Sequence, residues 1–221
     1  MTQDLVLDID GTRPLTAEAV ADVVALCDSA ESRGGQGAVV VRVSGAPGEL
    51  RPEDPTVGLV SKWERALHRL ERLPALTVGV ADGDCGGLAL DALLATDYRI
   101  ATGSVRLVPT LAGGGTWPGM ALYRLARQGA WAAPVRRAAL LGAPIGLSDA
   151  LALHLVDEVS DDPEAAVAAT AELTGDISGA ELAIRRQLMA DATTVGFQEA
   201  LGAHLAACDR TLRRVAAGTA S

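Results

Sequence analysis

Two apolar runs that do not alternate constrain this chain more than any other feature. Ala38–Val43 is β-branched almost throughout, and Ala75–Ala81 follows Pro74 with much the same character. A strand that alternates apolar and polar residues has one wet face; a strand that does not is buried on both, and its sheet needs helices above and below. Leu5–Ile9 does alternate, as a half-exposed strand would, before an Asp10–Gly11 turn.

Between these strands the spacing turns helical. Thr16 is placed to N-cap a helix carrying Val20, Val23, Val24 and Cys27 on one face, and Gly34–Gly35 stops it. Residues 57–72 hold Val60, Trp63, Leu67 and Leu70 at helical intervals. After Ala81, Asp82-Gly83-Asp84-Cys85-Gly86-Gly87 reads as a tight glycine turn and Leu88–Ala95 as a small apolar helix. Short strands are expected at Tyr98–Ala101, Val105–Val108 and Val156–Val159, with a glycine loop at Ala112–Gly115. Helices are expected over 117–129, 132–141, 148–153, 163–174, 178–192 and 196–216. Strands and helices alternate to about residue 160 and only helices follow. The expectation is an α/β core over 1–160 and a helical C-terminal segment over 161–221, packed on the core or on a neighbouring subunit.

Charge narrows the partners. The formal net charge is −9, from 28 acids against 19 bases, of which Lys62 is the only lysine. Nucleic acid and anionic membranes both recruit proteins through a basic field, so neither is an expected partner. No apolar run approaches the roughly 20 residues that span a bilayer, and Met1–Asp10 carries acids where a signal peptide has its positive region. The three cysteines, Cys27, Cys85 and Cys208, are far apart, which suits free thiols in a reducing cytoplasm.

Common catalytic patterns are missing: there is no G-x-S-x-G, phosphate-loop, dinucleotide or H-E-x-x-H motif. His68, His154 and His204 stand alone on or beside helices, as packing or surface histidines do, and no metal site is expected. Gly113-Gly114-Gly115-Thr116 lacks a phosphate-loop lysine and reads as turn geometry. One constellation has chemical content. A buried strand enters a glycine turn, a helix starts at once, and Asp91 sits in its first turn. The Gly87 or Leu88 N–H has no intrahelical partner and is free to meet a carbonyl oxygen that becomes negative during reaction, while Asp91 on the same side moves a proton. The plainer reading is that Asp91 complements the helix dipole, worth about 0.3–1 kcal/mol. Burial among Leu88, Leu90 and Leu94 is expected to raise its pKa. Asp82 and Asp84 are expected to shape the turn by bonds to backbone amides, and Cys85 to pack as a small residue. The pairs Arg136-Arg137, Arg185-Arg186 and Arg213-Arg214 read as solvated faces, one of which could meet phosphates.

The same residues carry a family resemblance. Leu73–Gly83, then Gly86-Gly87, then Leu90–Ala101 resembles the central stretch of the crotonase family, the enoyl-CoA hydratases and isomerases. Pro118-Gly119, Leu122–Leu125, Leu141–Ile145 and His154–Val159 resemble its later P-G, L-x-R, G-x-x-i and G-L-V-d-x-V segments, so the match in order runs from about residue 5 to 160. The resemblance implies the family's ββα spiral core and chemistry on a coenzyme A thioester, with no cofactor beyond the coenzyme A of the substrate. It also implies homotrimers, or hexamers built from two trimers. Carried over by position, the first catalytic glutamate falls on Asp91 and one oxyanion amide on Leu88, with Gly87 beside it in the substrate pocket. The second glutamate falls on Thr110, after Pro109. The other oxyanion donor falls in the turn after Ala38–Val43, at Pro47 if Gly48 anchors that turn; Pro has no N–H, which leaves Ala46 or Gly48. Asp91 is one methylene shorter than glutamate, so its substrate must lie closer.

A short, acidic member without the second glutamate is most similar to the small accessory branch of 3,5-dihydroxyphenylglycine biosynthesis, an antibiotic precursor route. That likeness implies dehydration and aromatisation beside a type III polyketide synthase and a second crotonase-like protein, giving 3,5-dihydroxyphenylacetyl-CoA. Two other readings stay open: a generic enoyl-CoA hydratase or isomerase using Asp91 alone, and a catalytically idle partner that activates the synthase.

Overall fold

A computed structural model of the chain describes residues 4–48, 55–109, 111–112, 115–116, 118–129 and 132–218. Its centre is a parallel sheet in the order β1 (Leu5–Asp10), β2 (Val39–Gly45), β3 (Thr77–Gly86), β4 (Tyr98–Ala101) and β9 (Glu158–Val159). Burial alternates along β1 and is continuous over Val39–Val41 of β2 and the first half of β3, as the sequence pattern predicts, but β2 alternates from Arg42, whose charged side chain turns to solvent and meets Glu164.

The two faces are covered by different helices. On one lie α1 (Ala17–Ser32), α2 (Val57–Leu70) and the short α3 (Leu88–Leu93), which pack with β1–β3 around the main core of Val23, Val41, Trp63, Leu67 and Leu90. On the other, Val40, Val78, Val80 and Ile100 meet Ala166 and Val167 of α7 (Pro163–Glu172). The caps are local: Thr16 Oγ1 accepts from the Ala19 N–H at 3.1 Å, and Thr56 Oγ1 from the Leu59 N–H at 3.2 Å.

The expected glycine turn after Ala81 is instead a continuation of β3. Its first half pairs with β4, and Asp84–Gly86 pairs with β5 (Arg106–Val108), which in turn pairs antiparallel with β8 (Ile145–Gly146). A register shift between Ser44 and Gly45 puts Gly45 opposite Cys85, so β3 bends away from β4 and delivers its end to a new neighbour. Among the described residues Asp82 and Asp84 bond side chains, not the backbone amides expected of them. Asp82 accepts from the Thr102 hydroxyl and Asp84 takes the Arg106 guanidinium, because a paired strand has already committed its amides.

Further on, β6 (Leu111–Ala112) pairs antiparallel with β7 (Gly115–Thr116), at the two ends of the expected glycine loop. Helix α4 spans Ala121–Gly129, later than the expected 117, since Pro118–Met120 forms a bend before it. Helices α5 (Ala133–Leu141) and α6 (Leu147–Ala152) follow, and His154 then takes a left-handed φ of 55°. The segment after α7 holds α8 (Gly179–Asp191) and α9 (Phe197–Gly218). Arg186 is not part of a solvated face. It reaches down from α8 to both carboxylate oxygens of Asp97, each at 2.6 Å, and donates to the carbonyls of Leu73 and Ala75. Asp97 also accepts from the Thr77 amide and hydroxyl, pinning the starts of β3 and β4 together.

Candidate active site

Three chain segments converge on Asp91. It lies in the first turn of α3, its N–H bonded to the Gly87 carbonyl, and its side chain is wholly buried, with 0 % exposure. Gly87 is the N-cap, at φ 53° and ψ −127°, a backbone conformation that side chains with a Cβ rarely take. That conformation lets strand β3 turn directly into the helix and leaves the Leu88 amide at its open end.

The second segment is α2. Trp63 is fully buried beside Asp91, and neither its indole Nε1 nor either Asp91 oxygen has a hydrogen-bond partner among the described residues. The third is the bend before α4. Gly119 lies so close that a Cβ there would collide with the carboxylate, with Asp91 Cγ at 2.8 Å. Burial pushes the Asp91 carboxyl up to about 7, and the charge of Glu64 adds to the rise, while Arg124, the Trp63 indole and the Ala121 amide pull the other way. A buried carboxyl that titrates near neutrality, with the Trp63 indole and the Ala121 amide close by but no hydrogen bond made among the described residues, is poised to exchange a proton with something that enters the site.

Glu64, Arg124 and Gly119 had no role in the sequence reading of the site. For Glu64 a signal existed. It lies four residues after Val60 and three before Leu67, on the very face that carries the apolar positions of α2. Its side chain is only 10 % exposed and that of Arg124 7 %, with Arg124 Nη1 2.9 Å from Glu64 Oε2. Arg124 is held on its other edge by Glu71, at 2.7 Å.

A cavity of about 230 Å³ opens between β1, the start of α1, Trp63 and Leu88, and so reaches the two residues that flank Asp91. Arg13 lines it together with Asp8, Asp10, Glu18 and Asp22. Ala46 and Gly48 follow Gly45, which is paired to Cys85 three residues before Leu88, so the two turns expected to supply oxyanion amides leave neighbouring strands at the same end of the sheet. Thr110 lies outside the described residues. Cys85 is buried, its thiol pushed up to about 12 mainly by that burial, which removes it as a nucleophile at neutral pH. Among the described residues no group of His, Cys, Asp and Glu is arranged to hold a metal ion.

This fold recurs widely. A protein described as an enoyl-CoA hydratase/isomerase from Marinobacter aquaeolei superposes with a TM-score of 0.75 over all of this chain and 90% of its own, at 16% identity. An enoyl-CoA hydratase from a Polaromonas species gives 0.78 over 99% of this chain and 92% of its own, at 17% identity. No model of a protein family matches the sequence. A relative from Amycolatopsis orientalis, described as an enoyl-CoA-hydratase, is 54% identical over 216 residues, 98% of this chain and 99% of that one. The chain therefore belongs to the crotonase, or enoyl-CoA hydratase, family, and its α/β core has the crotonase fold.

Proposed function

We propose that this protein moves protons at the α and β carbons of an acyl-CoA thioester, as an enoyl-CoA hydratase-like enzyme with Asp91 as its acid–base group. The observation that carries this reading is the wholly buried Asp91 carboxyl, without a hydrogen bond among the described residues and titrating near 7, one turn from the open N-terminus of α3. The Leu88 N–H, with a second amide from Ala46 or Gly48, would hold the thioester oxygen as it takes up negative charge, and Gly87 and Thr110 would border the acyl group. Ionised Asp91 takes the α-proton, giving an enolate. The proton then passes to the β-hydroxyl, which leaves as water while the enolate electrons form the α,β double bond. Coenzyme A enters as part of the substrate, and no resident cofactor is needed for these steps.

The same carboxylate serves loss and addition of water through one transition state, so the direction comes from the substrate: where loss of water ends in an aromatic ring, loss is preferred. The finer reading is of that kind. The substrate would be a cyclised polyketide thioester, dehydrated and aromatised towards 3,5-dihydroxyphenylacetyl-CoA beside a type III polyketide synthase and a second crotonase-like protein. The test is a reconstituted synthase assay with wild type and Asp91→Ala, alongside crotonyl-CoA as a generic substrate. Loss of aromatic product with the variant is expected. Turnover of crotonyl-CoA without any effect on the synthase leaves the generic enzyme, and full stimulation of the synthase by Asp91→Ala makes the protein a non-catalytic partner instead.

A further inference from the structure

We propose that Glu64 is the positioning residue of the Asp91 site, a role that rests on the acid–base reading of Asp91: it fastens the Pro118–Met120 bend against the Asp91 carboxyl and keeps a fixed negative charge facing it. Two bonds do this. Glu64 Oε1 accepts from the Met120 N–H at 2.7 Å, and Oε2 meets Arg124 Nη1 at 2.9 Å, so one side chain on α2 ties both the bend and the first turn of α4 to itself. The bend it fastens contains Gly119, whose Cα lies against the Asp91 carboxylate. Helix α2 therefore sets where Asp91 can point, through a segment to which Asp91 is not bonded.

The same bonds place the charge. Arg124 accounts for one carboxylate oxygen of Glu64 and the Met120 amide for the other, so the Glu64 side chain is held in one place beside its cation. Arg124 in turn spends its Nε on Glu71 at 2.7 Å, and the other Glu71 oxygen meets His68 at 3.1 Å nearer the surface. The charged groups that bear on Asp91 are thus Glu64 from α2 and Arg124 from α4, with Glu71 muting Arg124. The charge of Glu64 bears on Asp91 more strongly than that of Arg124, so without Glu64 the carboxyl would give up its proton at a lower pH. A base of that strength is matched to an α-proton; a more acidic aspartate would be ionised but weak.

The experiment is a carboxyl titration by NMR on protein labelled with 13C-aspartate, the Asp91 signal assigned by its loss in Asp91→Asn, in wild type and Glu64→Gln. Gln keeps the size and an acceptor for the Met120 amide and removes the charge. The expected result is a fall of about one pH unit in the Asp91 midpoint, matched by the same shift in the Asp91 limb of the kcat profile, with KM changing less than twofold. A folded Glu64→Gln protein with an unmoved Asp91 midpoint overturns the proposal. If the single variant does not fold, Glu64→Gln/Arg124→Gln, which removes the buried pair together, is read the same way: a lowered midpoint supports the role and an unmoved one ends it. The titration needs no substrate, so it stands apart from the thioester reading, which fails separately if Asp91→Asn turns over every thioester at the wild-type rate.

Discussion

At the scale of single residues, burying the Asp91 carboxyl costs stability at neutral pH. In the unfolded chain an aspartate titrates near 4; in the fold burial moves it to about 7. The folded state therefore binds the proton more tightly, so this group's favourable contribution is complete below pH 4 and is lost as the pH rises to 7. Replacing Asp91 with Asn removes that linkage. We expect the unfolding free energy of Asp91→Asn to exceed that of wild type at pH 8 by on the order of a few kcal/mol, seen as a higher melting temperature, and the difference to vanish towards pH 4. Thermal melts across that window check it, and a constant difference at all pH values would show that the carboxyl is not the cause. The candidate acid was legible in the sequence because its cue is local: a glycine turn, a helix start and an acid in the first turn are consecutive residues. Glu64 was half legible, from its place on the apolar face of α2, but its partner Arg124 stands 60 residues away. No periodicity links those two positions.

At the scale of elements, α8 is held to the core by one side chain more than by apolar packing, since Gly179 is its only buried residue. Arg186 bonds Asp97 and two carbonyls in the turn before β3, and Asp97 at the same time fastens Thr77. Arg186→Leu should cost roughly 2–4 kcal/mol of stability, because it leaves Asp97 without its cation in a half-buried place. Proteolytic cleavage should then move first to the α7–α8 connection, while the Asp91 titration stays where it was; unchanged stability and cleavage would mean that α8 is held by something else. Element types followed from the chain's own periodicity nearly everywhere, with α1, α2 and α8 within two residues of their expected bounds. The stretch Asp82–Gly86 did not, because glycines that permit a turn also permit a bent strand. Only the arrival of β5 alongside decides between them.

For the whole molecule, α9 is the element that the fold leaves open. Phe197, Leu201, Leu205, Leu212 and Val215 are exposed along a helix whose main contact among the described residues is with α8, with Arg214 paired to Glu181 at 3.1 Å. An apolar stripe of that length on a chain of charge −9 points to burial against another surface. The proposed occupant is a second copy, in a homotrimer or hexamer. Light scattering on the purified protein should give a multiple of 22.6 kDa, and Leu205→Glu with Leu212→Glu should reduce it to one chain; a single-chain mass for wild type at every concentration refutes it. Among the described residues no helix is long and apolar enough to cross a membrane. The alternation of strand and helix, the doubly buried strands and the acid at the start of α3 all follow from the order of residues, because the steric and burial preferences that set them act between neighbours a few positions apart. Which charges end up dry and facing Asp91 does not follow from that order. Glu64, Arg124 and Gly119 acquire their meaning from contacts that close only when α2, α3 and the bend before α4 meet, and burial, which sets the strength of every charge there, is a property of the assembled fold.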